Sequence, residues 1–275
     1  MHSGESLQWL ATDLLRARDG AEITNLPSLR VDNFGLNQGY QVGRLLHEHL
    51  LAQGALPVGR KIGFTNPETW KEFNLDTPIW AHMYRNSVHF ANKGNFSLSL
   101  AGMAAPRIEP EIVIKLKRPI LIGGMSDEEL VGSLEWIAIG FEIVDSHFPD
   151  WRFTAADAVA DFGVHAALVV GTPWRIDPAE AQGIVQQLQK LEVVLRKRDE
   201  DFAKGIGSNA LGSPLLALDH LARVLATQSW APSLVSGEII TTGTLTPLPY
   251  VQKGERWSVE ITGAPLAPLT IDLIG

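Results

Sequence analysis

The chain has 275 residues, 45% hydrophobic and 20% charged, enough for one sizeable core, and no apolar run approaches the roughly 20 residues that span a bilayer. A net charge of −8 without a concentrated basic stripe argues against nucleic acid as a partner. The absence of cysteine excludes disulfides, zinc–thiolate sites, iron–sulfur clusters and cysteine nucleophiles. In chain order, Met1–Glu5 lacks a basic segment leading into an apolar one, so the cytoplasm is the expected compartment. Leu7, Leu10, Ala11, Leu14 and Leu15 predict an amphipathic helix over about Glu5–Arg18, with Gly20 as its stop. A second helix is expected over about Leu36–Gln53, ending at Gly54. Val58–Thr65 reads as a strand entering a loop. From about Ser87 short strands predominate: Arg107–Leu116, Trp136–Val144, Ala166–Val170, Leu191–Lys197, Glu238–Thr242 and Trp257–Ile261. Helices near Asp127–Leu134 and Pro214–Gln228 interrupt them, capped by Ser126 and Ser213. The expected organisation is α+β: an N-terminal helical part (1–85) and a strand-rich part (86–275) in one compact unit.

Arg107-Ile108-Glu109-Pro110-Glu111-Ile112 carries the most chemical information. On a strand, side chains two apart share a face, so Glu109 and Glu111 are neighbours that repel unless a cation lies between them. Pro110 suits only an edge strand or a bulge. Glu142 sits in a second apolar strand, Ile139–Asp145, an awkward place for a free carboxylate. Three carboxylates from two strands suit Mg²⁺ or Mn²⁺, with positions left open for substrate. A solvated strand face and an ion-paired core glutamate are the alternative readings.

These residues resemble the fumarylacetoacetate hydrolase superfamily, within it the branch of 2-oxopent-4-enoate hydratases and 4-oxalocrotonate decarboxylases. The resemblance rests on Lys61-Ile62-Gly63-Phe64-Thr65, Ile108-Glu109-Pro110-Glu111, Phe141-Glu142-Ile143-Val144-Asp145-Ser146, Val159-Ala160-Asp161, Leu211-Gly212-Ser213-Pro214-Leu215, Ser236-Gly237-Glu238 and Thr241-Thr242-Gly243. It implies a mixed β-roll and a Mg²⁺ or Mn²⁺ ion on Glu109, Glu111 and Glu142. It also implies that Lys61 lies beside the substrate, that Asp76 matches an acidic residue after the K-I-G motif, and that the protein is a homo-oligomer. Burial and a nearby dication are expected to lower the Lys61 pKa.

The sequence departs from that pattern after Val159-Ala160-Asp161, where Phe162-Gly163-Val164-His165 stands in place of small hydroxyl or amide residues, and after Asp145-Ser146, where His147 replaces an arginine. His147 and His165 are therefore candidate acid–base groups; packed, hydrogen-bonded histidines are the alternative. Trp80, His82, Tyr84 and Arg85 form an aromatic and basic cluster that could line the pocket, with Arg85 a candidate for substrate binding. Gly243 and Thr244 are candidates for holding a substrate carboxylate.

The expected function is a divalent-metal hydratase of a 2-hydroxy-2,4-dienoate in aromatic-compound degradation, acting on a small anionic 2-oxo acid. The rivals are a decarboxylase of a 2-oxo-enedioate, an acylpyruvate C–C hydrolase, and a non-catalytic partner subunit of a related pathway enzyme. A hydrolase needs a water-activating pair; His47-Glu48-His49 is the available one, on a helix where a solvent-facing position is expected.

Overall fold

The apolar spacing of the first fifty residues is satisfied by two packed helices. In the computed structural model, which describes residues 3–121, 125–177, 179 and 181–275, α1 spans Ser3–Gly20 and α2 spans Leu36–Ala52. Met1 and His2, where a leader was sought, lie outside the described residues. Leu10 and Leu14 of α1 pack with Val42 and Leu46 of α2 in a buried cluster. α1 continues through Gly20, and the chain reverses at Ala21, φ 51°.

The strands begin before residue 86. β1 (Pro57–Gly63) is followed by the short α3 (Trp70–Phe73), β2 (Ile79–Tyr84), β3 (Val88–Phe90) and β4 (Asn95–Ser99). Next come β5 (Pro106–Leu116), α4 (Asp127–Gly132), β6 (Leu134–Asp145), α5 (Ala155–Ala160), β7 (His165–Val170) and β8 (Trp174–Arg175). α6 (Ala181–Lys190), β9 (Glu192–Lys197), β10 (Glu200–Ile206), α7 (Pro214–Thr227), β11 (Ile239–Thr244), β12 (Arg256–Thr262) and β13 (Leu269–Ile274) complete the chain. Both predicted caps form: the Ser126 hydroxyl accepts from Glu129 N–H in a capping box, and the Ser213 hydroxyl accepts from Leu215 N–H with Pro214 opening α7. Among the described residues the larger sheet runs β2-β1-β11-β5-β6-β7-β3, with β8 also on β6, and the smaller runs β10-β9-β12-β13-β4. The helical part thus ends with α2, and β1 and β2 already belong to the larger sheet.

That sheet is curled. Met83 of β2, Val113 of β5, Ala138 of β6, Leu168 and Val170 of β7 and Ile239 of β11 form one buried cluster. β2 and β3 stand at opposite ends of this sheet, six strand spacings or about 29 Å apart if it were flat. Tyr84 and Val88 are only four residues apart, a reach of about 14 Å, so the sheet must roll, with the odd-numbered side chains of β5 (Glu109, Glu111, Val113) facing the interior of the roll. The opposite face, with Ile108, Ile112 and Ile114, joins the main core beneath α7 and the smaller sheet.

Pro110 is central rather than at an edge, between β11 and β6. Its place is a bulge. The register passes from Thr241↔Val113 to Thr244↔Glu111, so β11 has one residue more than β5. The bulge takes Gly243 out of the ladder, and its N–H turns toward Glu111.

Candidate metal centre and substrate cavity

The β5–β6 ladder sets Glu109 directly opposite Glu142, with Glu111 two residues along on the same face. One carboxylate oxygen from each of the three lies within 4.8 Å of the others. Glu111 and Glu142 are fully buried and Glu109 is 9% exposed. Three facing carboxylates carry a large desolvation and repulsion cost, and the fold provides only part of the compensation. Glu142 Oε1 accepts from His165 Nδ1 at 2.8 Å and lies 3.2 Å from Lys61 Nζ. Glu111 Oε2 accepts from Gly243 N–H at 2.7 Å. Glu111 Oε1 and Glu142 Oε2 are buried without a hydrogen-bond partner among the described residues. Orphaned buried acceptors of this kind are rare, and an all-oxygen donor set suits a hard dication. The residues present therefore fit Mg²⁺ or Mn²⁺.

The electrostatics agree. Burial, reinforced by Glu142, pushes the Glu109 carboxyl up to about 7 despite Lys61. Burial and both neighbouring carboxylates push Glu111 well above the usual range. Glu142 goes the other way: burial opposes its ionisation, but Lys61 and the His165 hydrogen bond outweigh burial and hold it down to about 2. Without a cation, protons do part of the cation's work at Glu109 and Glu111.

Lys61 points into the roll from β1, buried, and donates from Nζ to the Gly163 carbonyl at 3.0 Å. Burial pulls its pKa down, but the three carboxylates push harder, and the net shift is upward. That is the direction with the three carboxylates uncompensated; the lowering expected beside a dication belongs to the cation-loaded site. Its carbonyl partner is held by an uncommon backbone: Phe162, Gly163 and Val164 all have positive φ (53°, 60° and 55°), strained for a β-branched valine.

His165 does not face the cavity. It is buried, its Nδ1 on Glu142 and its Nε2 2.9 Å from the Ser87 hydroxyl. Burial lowers its pKa against the pull of Glu142, so the neutral ring donates through Nδ1 and accepts from Ser87. It orients Glu142, a positioning role in place of the acid–base role expected. His147 is likewise buried, 2.8 Å from Asp161 Oδ2 and 3.5 Å from Asp145 Oδ2, behind the site. Asp161 in turn accepts from Arg18 Nη1 at 2.9 Å, and Arg18 Nη2 donates to the His165 carbonyl at 2.8 Å. A side chain of the first helix is thereby tied to the backbone that carries His165.

Two expected site residues lie elsewhere. Asp76, in the exposed turn after α3, and Arg85, exposed past the end of β2, do not line the cavity. Trp80, His82 and Tyr84 share the other face of β2 from Ala81 and Met83, because strand side chains alternate. There Trp80 stacks on Tyr40, and His82 stacks on His47 at 3.9 Å. His47 is thus half-buried against the back of the sheet, hydrogen-bonded to Tyr84, rather than solvent-facing, and it forms no water-activating pair at the carboxylates. Gly243 and Thr244 do line the cavity. Gly243 is obligatory: φ is +95°, and a Cβ there would lie 1.8 Å from Thr65 Oγ1. Its N–H serves a carboxylate of the protein itself.

The cavity has a volume of about 510 Å³, in the range of small-molecule sites. Lys61, Glu109 and Glu111 form its polar floor, and Phe64, Phe73, Trp151 and Phe153 much of its apolar wall. Arg107, absent from the expected site residues, also lines it. The signal was available, since Arg107 stands two residues before Glu109 on the same strand face.

The profile described as fumarylacetoacetate (FAA) hydrolase C-terminal matches residues 62–271, most of the chain. The chain belongs to the fumarylacetoacetate hydrolase family. Within this family it is 30% identical over 257 residues to a 2-hydroxyhexa-2,4-dienoate hydratase of Comamonas testosteroni, covering 93% of this chain and 92% of the relative. It is 29% identical over 223 residues to a 4-oxalocrotonate decarboxylase of a Pseudomonas species, covering 81% and 82%. In fold it superposes on the 4-oxalocrotonate decarboxylase from Pseudomonas putida G7, complexed with magnesium and adipate, with a TM-score of 0.88 and 22% identity, covering 100% of this chain and 99% of that one. The β-roll fold implied by the resemblance is thereby shown.

Proposed function

We propose that the protein is a Mg²⁺- or Mn²⁺-dependent lyase that adds water to a 2-hydroxy-2,4-dienoate, in the degradation of aromatic compounds. The observation that carries this reading is the convergence of three buried carboxylates, two with an orphaned oxygen, where Glu109 and Glu111 join a buried lysine ammonium in the floor of a cavity. The 30% identity to a dienoate hydratase over nearly the whole chain supports it. Glu109, Glu111 and Glu142 would hold the cation. When bound, it supplies Lewis acidity that favours negative charge on the carboxylate and 2-oxygen of a 2-oxo acid.

The protein's own residues do the rest. Lys61 Nζ has three N–H groups; Gly163 O takes one and Glu142 Oε1 another, leaving one for the cavity. Its remaining N–H is placed to anchor the substrate carboxylate or 2-oxygen, and a cation on the three glutamates would weaken their upward pull on the Lys61 pKa. Hydration requires the 2-hydroxydiene to ketonise, its O–H proton lost and a proton gained at C5, after which water adds at C4 with a proton to C3. Lys61 is placed to donate and recover a proton in this exchange. The apolar wall from Phe64 to Phe153 excludes bulk water from the diene.

Decarboxylation of a 2-oxo-enedioate is the second reading, favoured by the 29% identity to a decarboxylase and by the fact that the same floor would stabilise its dienolate product. Purified protein with Mg²⁺ or Mn²⁺ is to be given 2-hydroxypenta-2,4-dienoate and, separately, a 2-oxo-enedioate. Water addition without CO₂ is expected; release of CO₂ as the main reaction transfers the assignment to the decarboxylase, and turnover of neither sinks both. The same reading makes the protein a cytoplasmic homo-oligomer, which size-exclusion chromatography with light scattering checks. No helix among the described residues is long and apolar enough to cross a membrane.

A further inference from the structure

Most neutral polar side chains in the cavity wall already have partners. Thr69, Thr244 and Thr246 give their hydroxyl protons to the carbonyls of Asn66, Thr246 and Pro247. Asn209 and Thr65 differ. Asn209 Nδ2 donates to the Leu245 carbonyl at 2.9 Å. A carbonyl only accepts, so this contact fixes which end of the amide is nitrogen and turns Oδ1 the other way. Among the described residues nothing donates to Asn209 Oδ1, and the hydroxyl of Thr65, buried in the same wall, has no hydrogen-bond partner.

Backbone contacts place this pair beside the carboxylate floor. Leu245 N–H donates to the Pro110 carbonyl at 3.0 Å, and Pro110 stands between Glu109 and Glu111. The turn that carries Asn209 is tied to Thr65, whose carbonyl accepts from Leu211 N–H at 2.9 Å. The Thr65 hydroxyl lies against Gly243, whose N–H holds Glu111. Both groups therefore stand on the β1–β11 side of the floor, the side from which Lys61 enters. Both are uncharged and both can accept a hydrogen bond.

Hydration needs a water whose protons are held while a lone pair is aimed at C4. We propose that Asn209 Oδ1, with Thr65 Oγ1 beside it, holds that attacking water, which makes Asn209 a catalytic residue of the hydration step. The inference rests on the dienoate-hydratase reading and deepens it, because Asn209 then serves water addition and not the ketonisation before it. The water oxygen bonds to C4, the C3–C4 π pair moves toward the 2-oxygen, and C3 takes a proton from Lys61 Nζ. The surplus proton of the water returns to Lys61 Nζ, so the step balances without a further reactant. The two acceptors fix the approach of the water and take no proton themselves.

The test gives 2-hydroxypenta-2,4-dienoate to the Mn²⁺-loaded protein and follows the dienol, 2-oxopent-3-enoate and 4-hydroxy-2-oxopentanoate by NMR. Wild-type protein should form the hydroxy acid without accumulating the enone. Asn209→Ala should ketonise at the wild-type rate but hydrate about 10- to 100-fold more slowly, so that the enone accumulates. Asn209→Gln, which keeps an amide oxygen, should recover part of the rate. Hydration at the wild-type rate in Asn209→Ala, or ketonisation and hydration slowed alike, overturns the proposal and leaves the hydratase reading standing. A raised KM with unchanged kcat also overturns it, since Asn209 is then a substrate-binding group. If Asn209→Ala fails to fold for want of the donor to Leu245, Thr65→Val decides, because it keeps the shape and loses the hydroxyl. Accumulated enone in that variant supports the proposal, and a wild-type time course overturns it. If wild-type protein hydrates no dienoate, the hydratase reading falls and takes the proposal with it.

Discussion

At the scale of single residues, the carboxylates differ in what surrounds them, and their substitutions should differ accordingly. Glu109→Gln and Glu111→Gln each remove a negative charge from a buried oxygen cluster, so metal-dependent turnover should be lost while circular dichroism stays native. Full activity in either variant would falsify its assignment as a ligand. His165→Ala removes the donor that holds Glu142 Oε1, and metal affinity should drop by about 10- to 100-fold, the usual effect of losing a ligand's supporting hydrogen bond. His165→Asn, whose Nδ2 can replace Nδ1, should recover part of it; unchanged metal affinity in His165→Ala would remove the positioning role. The pH response has a definite sign. Glu109 titrates about 7 in the fold against an ordinary 4.5, and Glu111 is raised in the same direction, so between these values the folded protein binds more protons than the unfolded chain. The Glu109 contribution to stability is full below 4.5 and is lost as pH rises through about 7, and Glu111 adds a loss of the same sign. The melting temperature of chelator-treated protein should therefore fall across that window, with added Mg²⁺ reversing the fall. Glu142, held down to about 2, loses its contribution only in stronger acid. Much of this site was legible as residue types: a two-residue period put Glu109 and Glu111 on one face, and the K-I-G resemblance placed Lys61. What was not legible is that all three carboxylates reach one ammonium through the curl of the sheet and raise its pKa while no cation neutralises them.

At the scale of elements, apolar periodicity found both strands that carry the three glutamates, since the β5 and β6 segments are apolar runs bounded by turn residues. No expected element corresponds to β2, β3, β4, β8, β10 or β13, or to α3, α5 or α6. β2 mixes Trp80 and His82 with Ala81 and Met83, and its two faces meet two different cores, so no single period stands out. Asp76 and Arg85 stand away from the cavity for a related reason. Proximity in sequence to a motif says little when the chain turns outward after α3 and again after β2. The bulge in β11 offers a sharp test. Gly243→Ala places a methyl group into Thr65 at a positive φ, so it should destabilise the protein by about 1–3 kcal/mol and also weaken metal binding, because the N–H on Glu111 moves with the backbone. A variant with unchanged denaturant midpoint and metal affinity would show that the bulge geometry is tolerant.

At the scale of the whole molecule, the roll brings residues from β1, β5, β6 and β11 onto one floor, while the first helix supports that floor from behind. Arg18 of α1 satisfies Asp161, which is fully buried, and Arg18→Met leaves that carboxylate without its cation, at a cost of about 3 kcal/mol in chemical denaturation. No sequence signal pointed to this pair, whose members stand 143 residues apart. The same tether has a second consequence, because Arg18 also grips the carbonyl of His165, whose ring grips Glu142. Thermodynamic reciprocity then applies: if docking of the helix improves the grip on the cation, the cation must slow the opening of the helix by the same free energy. Amide hydrogen exchange along α1 should become slower when Mg²⁺ is added, and in Arg18→Met that metal-dependent protection should vanish while protection near Glu142 remains.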